Sequence, residues 1–271
     1  MLKKRIIFTL LYDDGSFMLS RNFRLQKVGD LQWLKKNYNF SKISLSIDEL
    51  IILDITRKKR DKEKFIEHVH ALSTECFVPL AVGGGINDID YAHKLINSGA
   101  DKIVVNSLIG KDIGIVVELV NDLGSQCIVA SIDVKKIKND FFVFTQNGTL
   151  RQNIPFSSWV GQLIKIQVGE IYLTSIDKDG TGQGYQMDII NLLPDKISIP
   201  VIMSGGAGKW QHLMEGLDEK KIDAVSTAHL FNFIGDGLEV ARFNLLQNGY
   251  NLSKWDKKLA LSLEATFKKM L

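Results

Sequence analysis

Four carboxylates stand at or just past the ends of short apolar runs: Asp54 in "IILDIT", Asp133 in "QCIVASID", and Asp177 and Asp179 in "IYLTSIDKDG". Acids carried at a strand end or on the loop beyond it can act as general acid or base. For Asp54 and Asp177 a turn acid or helix cap is an equal reading. Two glycine clusters follow other apolar runs, Gly83, Gly84 and Gly85 in "PLAVGGGI", and Gly205 and Gly206 after Ser204 in "IPVIMSGGAG". Without a Cβ such a loop can bring several backbone N–H groups against a phosphate, and a helix N-terminus behind it adds a favourable dipole. Asn106 and Ser107 would complete the first cradle, and Thr227, Ala228 and His229 the second. Two cradles suggest a ligand with a phosphate at each end.

The elements that must position these groups are eight aliphatic runs, each followed by a helix-like segment: "RIIFTLL", "ELIILD", "PLAV", "KIVVN", "QCIVASID", "EIYLTS", "PVIMS" and "IDAVST". Continuous apolar strands alternating with periodic helices argue for parallel strands covered on both faces. Eight units predict an α/β fold, a closed (β/α)8 TIM barrel spanning residues 1–271 as one domain. An open doubly wound sheet fits less well, because no GxGxxG opens a helix after the first strand. Pro79 and Pro200, and Asp54 and Asp177, repeat at an offset of about 122 residues. We therefore expect two tandem half-barrels, 1–124 and 125–250, followed by a helical tail, 251–271. The same offset carried back from Asp133 reaches Leu11, so the first half has a leucine where the second has an acid.

Composition restricts the partners. A chain of 271 residues that is 45% hydrophobic can bury a core of its own. A net charge of +3, spread through the sequence, gives no electrostatic footprint for nucleic acid. Cys76 and Cys127 lie in apolar runs, as reduced cysteines do, and the first apolar run stops at Asp13 without a cleavage site. No run is long enough to span a membrane, so a cytoplasmic location is expected. His68 and His70 are two apart on a helical pattern and do not share a face, so neither a metal site nor a cofactor is expected. Of the other histidines, His229 is placed to replace a hydroxyl at a phosphate loop. Residues 138–153 read as a hairpin with an Asn-Gly turn.

Together "KRII", "DELIILDIT", "PLAVGGGI", "GADKIVVNS", "GSQCIVASID", "GEIYLTSIDKDGTGQGY" and "IPVIMSGGAGK" resemble the cyclase subunit of imidazole glycerol phosphate synthase, from residue 1 to about 245. The resemblance implies a barrel that binds a bisphosphorylated ribulosyl-imidazole nucleotide and receives ammonia from a class-I glutaminase docked on its N-terminal face. It implies that two aspartates do the acid–base work of cyclisation and cleavage. One is the second Asp of "DxDGT", here Asp179; the other belongs to a first-strand motif and falls on Leu11. It also adds Gly180 and Thr181 to the phosphate-binding set, and Thr174 to the active face. The 138–153 segment becomes a flap over the substrate.

The departures fall on that active face. Leu11 cannot move a proton, the loop lysine of the family is Leu19, and the serine of the last phosphate loop is His229. Asp13 is a candidate rescue, because residues two apart in a strand face the same way, although it would stand about 6–7 Å further out. Asp13 and Asp14 read otherwise as turn acids beside Gly15. At the opposite strand ends, Arg5, Glu49, Lys102 and Glu170 match the charged gate through which ammonia enters such barrels, while Asp101 and Gln126 match positions near the glutaminase. The same four charges could be a stability ring. Three readings follow: an ammonia-conducting barrel with impaired cyclase activity that supplies a sugar amidotransferase, a working cyclase–lyase using Asp133, Asp179 and Asp13, or a scaffold that binds phosphate ligands. The first rests on "TLLYDDG" and "SIDVKK", which resemble divergent members paired with a second glutaminase in acetamidino-sugar synthesis.

Overall fold

The eight aliphatic runs become strands buried on both faces, the condition of parallel strands under helices. The computed structural model describes residues 3–229, 233, 235–254 and 256, with Ser41 described by its backbone only. The strands are β1 (Arg5–Asp13), β2 (Ser16–Arg21), β3 (Arg24–Asp30), β4 (Glu49–Asp54), β5 (Leu80–Gly83) and β6 (Lys102–Val105). They continue with β7 (Ile128–Ile137), β8 (Asp140–Thr145), β9 (Leu150–Arg151), β10 (Glu170–Ser175), β11 (Val201–Ser204) and β12 (Ala224–Thr227). Eight pair in parallel in the order β1-β4-β5-β6-β7-β10-β11-β12, and β12 pairs with β1, so the sheet closes as the predicted (β/α)8 barrel.

Strand alternation sorts the side chains. Ile7, Ile51, Ala81, Val104, Val129, Tyr172, Ile202 and Ala224, one from each barrel strand, meet inside the barrel. Their neighbours, such as Ile6, Phe8 and Leu10, point outwards into the larger core beneath the helices. Helices begin where a short acid can accept their unpaired N–H groups. Asp61 caps Lys62–Ser73 through Lys64 N–H, and Asp88 caps Ile89–Asn97 through Tyr91 N–H.

Three local expectations are corrected. After β10 the chain makes only a 3-10 segment, Met187–Leu192, rather than an α-helix, because residues 176–186 are spent on the glycine-rich loop that carries Asp179. The excursion at 138–153 turns first at Lys138 and Asn139, and the Asn147-Gly148 turn joins β8 to β9 instead of β7 to β8. A matching excursion, β2 and β3, leaves β1 by the turn at Asp14 and Gly15 and was not anticipated. Its outer strand is mostly polar, "RLQKVGD", with little apolar alternation to show it. Of the expected helical tail, only 251–254 and 256 are described, without regular structure; the rest lies outside the described residues.

Candidate active site and the opposite barrel face

A cavity of about 210 Å³ opens at the C-terminal ends of the strands, and Asp133 and Asp179 both line it. Asp133 sits inward on β7, 9% exposed, and its Oδ2 accepts a bond from Asn106 Nδ2 at 3.0 Å. Burial pushes its pKa up to about 7, the Asn106 bond working against the shift and the Asp179 charge with it. Asp179 stands on the loop after β10, where its Oδ2 accepts from the Ser20 hydroxyl at 2.5 Å and from Phe23 N–H at 3.0 Å. Burial raises its pKa too, while those two bonds and the nearby His229 oppose the shift. Two carboxyls shifted towards protonation in one cavity, one of them to about 7, are candidates for proton transfer.

Leu11 occupies the inward position on β1 beside this cavity, 9% exposed, next to Leu53 of β4. Asp13 does not join them. It pairs with Ser16 across the β1–β2 turn, where β1 has already left the barrel wall, and it does not line the cavity. Asp14 is in the turn itself with φ of 45°.

The first cradle lies on the same cavity, with Gly84, Gly85, Asn106 and Ser107 in its wall. Gly84 has φ of 110°, and a Cβ there would stand 2.1 Å from the Asp54 carbonyl, so backbone packing as well as ligand access demands glycine. Gly83 packs against Val104 instead of lining the cavity. The second cradle is a small recess walled by Ser204, Gly205, Gly206, Gly180, Ala228 and His229, with Leu19 at its rim. Burial lowers the His229 pKa, against a backbone hydrogen bond and the Asp179 charge, which raise it. Thr181 stays out of both cradles, its hydroxyl donating to the Lys178 carbonyl at 2.8 Å.

Thr174 lines the cavity, but the two remaining acids are already engaged. Asp54, at the end of β4, lines the cavity as well, where it accepts from Thr56 N–H at 2.9 Å and pairs with Arg60 Nε at 3.2 Å. Asp177 Oδ2 accepts from Lys136 N–H at 2.7 Å and does not line the cavity. Residues not singled out from the sequence complete the wall: Ser20 and Phe23 of the unanticipated hairpin, Asn147 of the flap, Arg57, Arg60 and Tyr172. The basic run "RKKR" was the visible signal for the two arginines; a serine at the end of β2 and a phenylalanine in the turn after it gave none.

At the other end, Arg5, Glu49, Lys102 and Glu170 meet as a closed ring. Arg5 Nη1 lies 2.9 Å from both Glu49 Oε2 and Glu170 Oε1, and Lys102 Nζ lies 2.8 Å from the first and 3.1 Å from the second. Burial and the Glu170 charge push Glu49 towards its neutral form, and Lys102 and Arg5 pull it back. Asp101 is exposed and accepts from Leu80 N–H at 2.7 Å, and Gln126 is exposed on the turn before β7. Above the ring lies the eight-residue apolar layer, and above that a hydroxyl cluster. Tyr172 OH meets Thr9 Oγ1 at 3.0 Å, Ser204 Oγ at 2.7 Å and Ser226 Oγ at 3.3 Å. The described residues include no cluster of His, Cys, Asp and Glu fit to hold a metal ion, and no helix long and apolar enough to cross a membrane. Cys76 and Cys127 are free thiols, the first buried and the second half-buried.

Comparison with known proteins places this geometry. The family described as "Histidine biosynthesis protein" matches residues 29–235. A Parasynechococcus marenigrum (strain WH8102) protein, named provisionally as imidazole glycerol phosphate synthase subunit hisF2, is 43% identical over 267 residues, covering 98% of this chain and 99% of that one. The imidazole glycerol phosphate synthase subunit HisF of Pelodictyon phaeoclathratiforme (strain DSM 5477 / BU-1) is 36% identical over 250 residues, covering 92% and 98% of the two chains. That of Thermotoga sp. (strain RQ2) is 35% identical over 253 residues, covering 93% and 98%. With a closed eight-stranded barrel and near full-length similarity, the chain belongs to the histidine biosynthesis family as a cyclase-type HisF barrel.

Proposed function

We propose that this barrel takes ammonia from a class-I glutaminase at its N-terminal face and delivers it to the C-terminal cavity, with the ordinary cyclase–lyase turnover impaired. One observation carries the reading: the ion-pair ring is complete while Leu11 fills the inward first-strand position at the cavity. A ring of four partly buried charges is costly to retain unless it serves something. A leucine contributes no proton to the chemistry at the other end. In this reading the ammonia continues to a sugar amidotransferase that forms acetamidino groups, and the two cradles hold phosphate ions or a bisphosphorylated ligand.

The test supplies the ribulosyl-imidazole nucleotide with a large excess of ammonium at high pH, which removes dependence on any partner. Sedimentation with a class-I glutaminase is run in parallel. Complex formation without imidazole glycerol phosphate is the expected result; turnover at a rate abolished by Asp179→Asn would sink the impaired-cyclase reading. A second reading, a working cyclase–lyase, draws on the Asp133 carboxyl poised at about 7 beside Asp179. A non-catalytic phosphate-binding scaffold predicts neither turnover nor a complex.

A further inference from the structure

We propose that the loop Arg57–Arg60 makes the first cradle a site for a diphosphate group, so that the ligand of this barrel carries more charge at that end than a phosphate monoester. The inference rests on the reading of this cavity as the ligand site. The loop "RKKR" joins β4 to the helix Lys62–Ser73 and places four cations in succession at the cavity mouth. Arg57 and Arg60 line the same cavity as Gly84 and Gly85. Arg60 lies directly on the glycine cluster: a Cβ added to Gly85 would stand 2.6 Å from its Cδ and 3.0 Å from its Nε.

The charge of this loop is largely unanswered. Arg60 pairs with Asp54 at 3.2 Å. Among the described residues no carboxylate stands within ion-pair distance of Arg57, Lys58 or Lys59, and all three are exposed. Arg57 is nevertheless oriented, because its Nη2 donates to the Phe23 carbonyl at 2.6 Å, across the cavity mouth. That leaves the rest of a planar donor fork available to an anion. The second cradle differs: neither Lys nor Arg lines the recess itself, and Arg21, Arg24 and Lys135 stand on the adjoining open surface that shares Gly180 and His229.

With Arg60 answered by Asp54, Arg57, Lys58 and Lys59 still bring more charge than one phosphate dianion can neutralise. Arginine forks bind phosphate oxygens in pairs, and a diphosphate presents enough oxygens for both. Lys58 and Lys59 then act through the field they set up at the mouth, which concentrates polyanions there. An acidic protein surface could use the same charges, but it would have no use for Arg57 and Arg60 in a cavity wall beside Gly84 and Gly85.

The experiment is calorimetric titration of the full chain with inorganic phosphate and with pyrophosphate at matched ionic strength. Pyrophosphate should bind at least about tenfold more tightly, and Arg57→Ala should remove roughly tenfold of its affinity while changing phosphate affinity by less than about threefold. Arg57→Lys, which keeps the charge but not the fork, should fall between. Equal affinity for the two anions, or isotherms unchanged in Arg57→Ala, overturns the proposal; the latter is also what a protein-docking role for the loop gives. Arg57 is exposed and makes one hydrogen bond, so its variants keep the fold. The titration uses neither glutaminase nor ammonia, so its outcome and that of the ammonia-delivery test are independent.

Discussion

The two ends of the barrel treat buried charge in opposite ways. At the N-terminal end each cation touches both carboxylates and each carboxylate both cations, so opposite charges answer one another even though burial raises the Glu49 pKa. At the C-terminal end Asp133 is met by an amide, and Asp179 by a hydroxyl and a backbone N–H. Those partners are weaker than a cation, and burial moves both acids towards protonation. One end answers its carboxylates with cations, and the other leaves them to neutral donors. The same fold thus separates a closed ion-pair ring from a pair of acids without a cation by little more than the height of a barrel.

The ring can be broken directly. Glu49→Ala removes an acceptor shared by Arg5 and Lys102 and should cost about 3–5 kcal/mol in urea unfolding, as the loss of one partner in a buried network does. A cost below about 1 kcal/mol would put the ring with exposed surface pairs. The cavity end is sharpened by pH. Asp133 has a folded-state pKa of about 7, above its unfolded value near 4, so the folded state binds the extra proton. Its contribution to stability is therefore complete below about pH 4 and is lost as pH rises through about 7. Asp133→Asn should remove that loss, gaining about 2–4 kcal/mol over wild type at pH 8 relative to pH 4, measured by denaturant unfolding at both values.

Between the two ends, Tyr172→Phe deletes the centre of the hydroxyl cluster while keeping the ring in the apolar layer. It should destabilise by about 1–2 kcal/mol, with Thr9 and Ser226 still bonded to each other at 2.7 Å. The smallest effect is expected at Asp13. Asp13→Ala should change stability by less than about 0.5 kcal/mol and leave any ammonium-dependent turnover unchanged, since the residue stands at the turn and not in the cavity. Lost turnover in that variant would restore Asp13 as a stand-in for the missing first-strand acid.

Much of the barrel was legible because its signals are local. A strand covered on both faces must be apolar throughout, as "EIYLTS" is, and a loop that touches the Asp54 carbonyl must be glycine, as Gly84 is. The ring residues were legible from type and position at four strand starts. What stayed hidden depends on contacts across the chain. Ser20 and Phe23 hold Asp179 from more than 150 positions away in sequence, and nothing in "SRNF" announces it. For Asp54 and Asp177 the sequence left a reactive acid and a turn acid or cap as equal readings, and the folded structure shows oxygens of both bonded to Thr56, Arg60 and Lys136. Tyr172 read as one more apolar strand residue, although its hydroxyl organises the cavity floor.

The apolar layer that contains Tyr172 has a kinetic consequence. Each of its eight residues is at most 3% exposed, and together they occupy the barrel axis between the charged ring and the cavity. A small neutral molecule can cross such packing only when side chains part for a moment, as they do when buried rotamers hop. On the ammonia-delivery reading, axial flux would be set by how often the wall breathes rather than by how much solute waits outside. It should rise with temperature far more steeply than diffusion in water does.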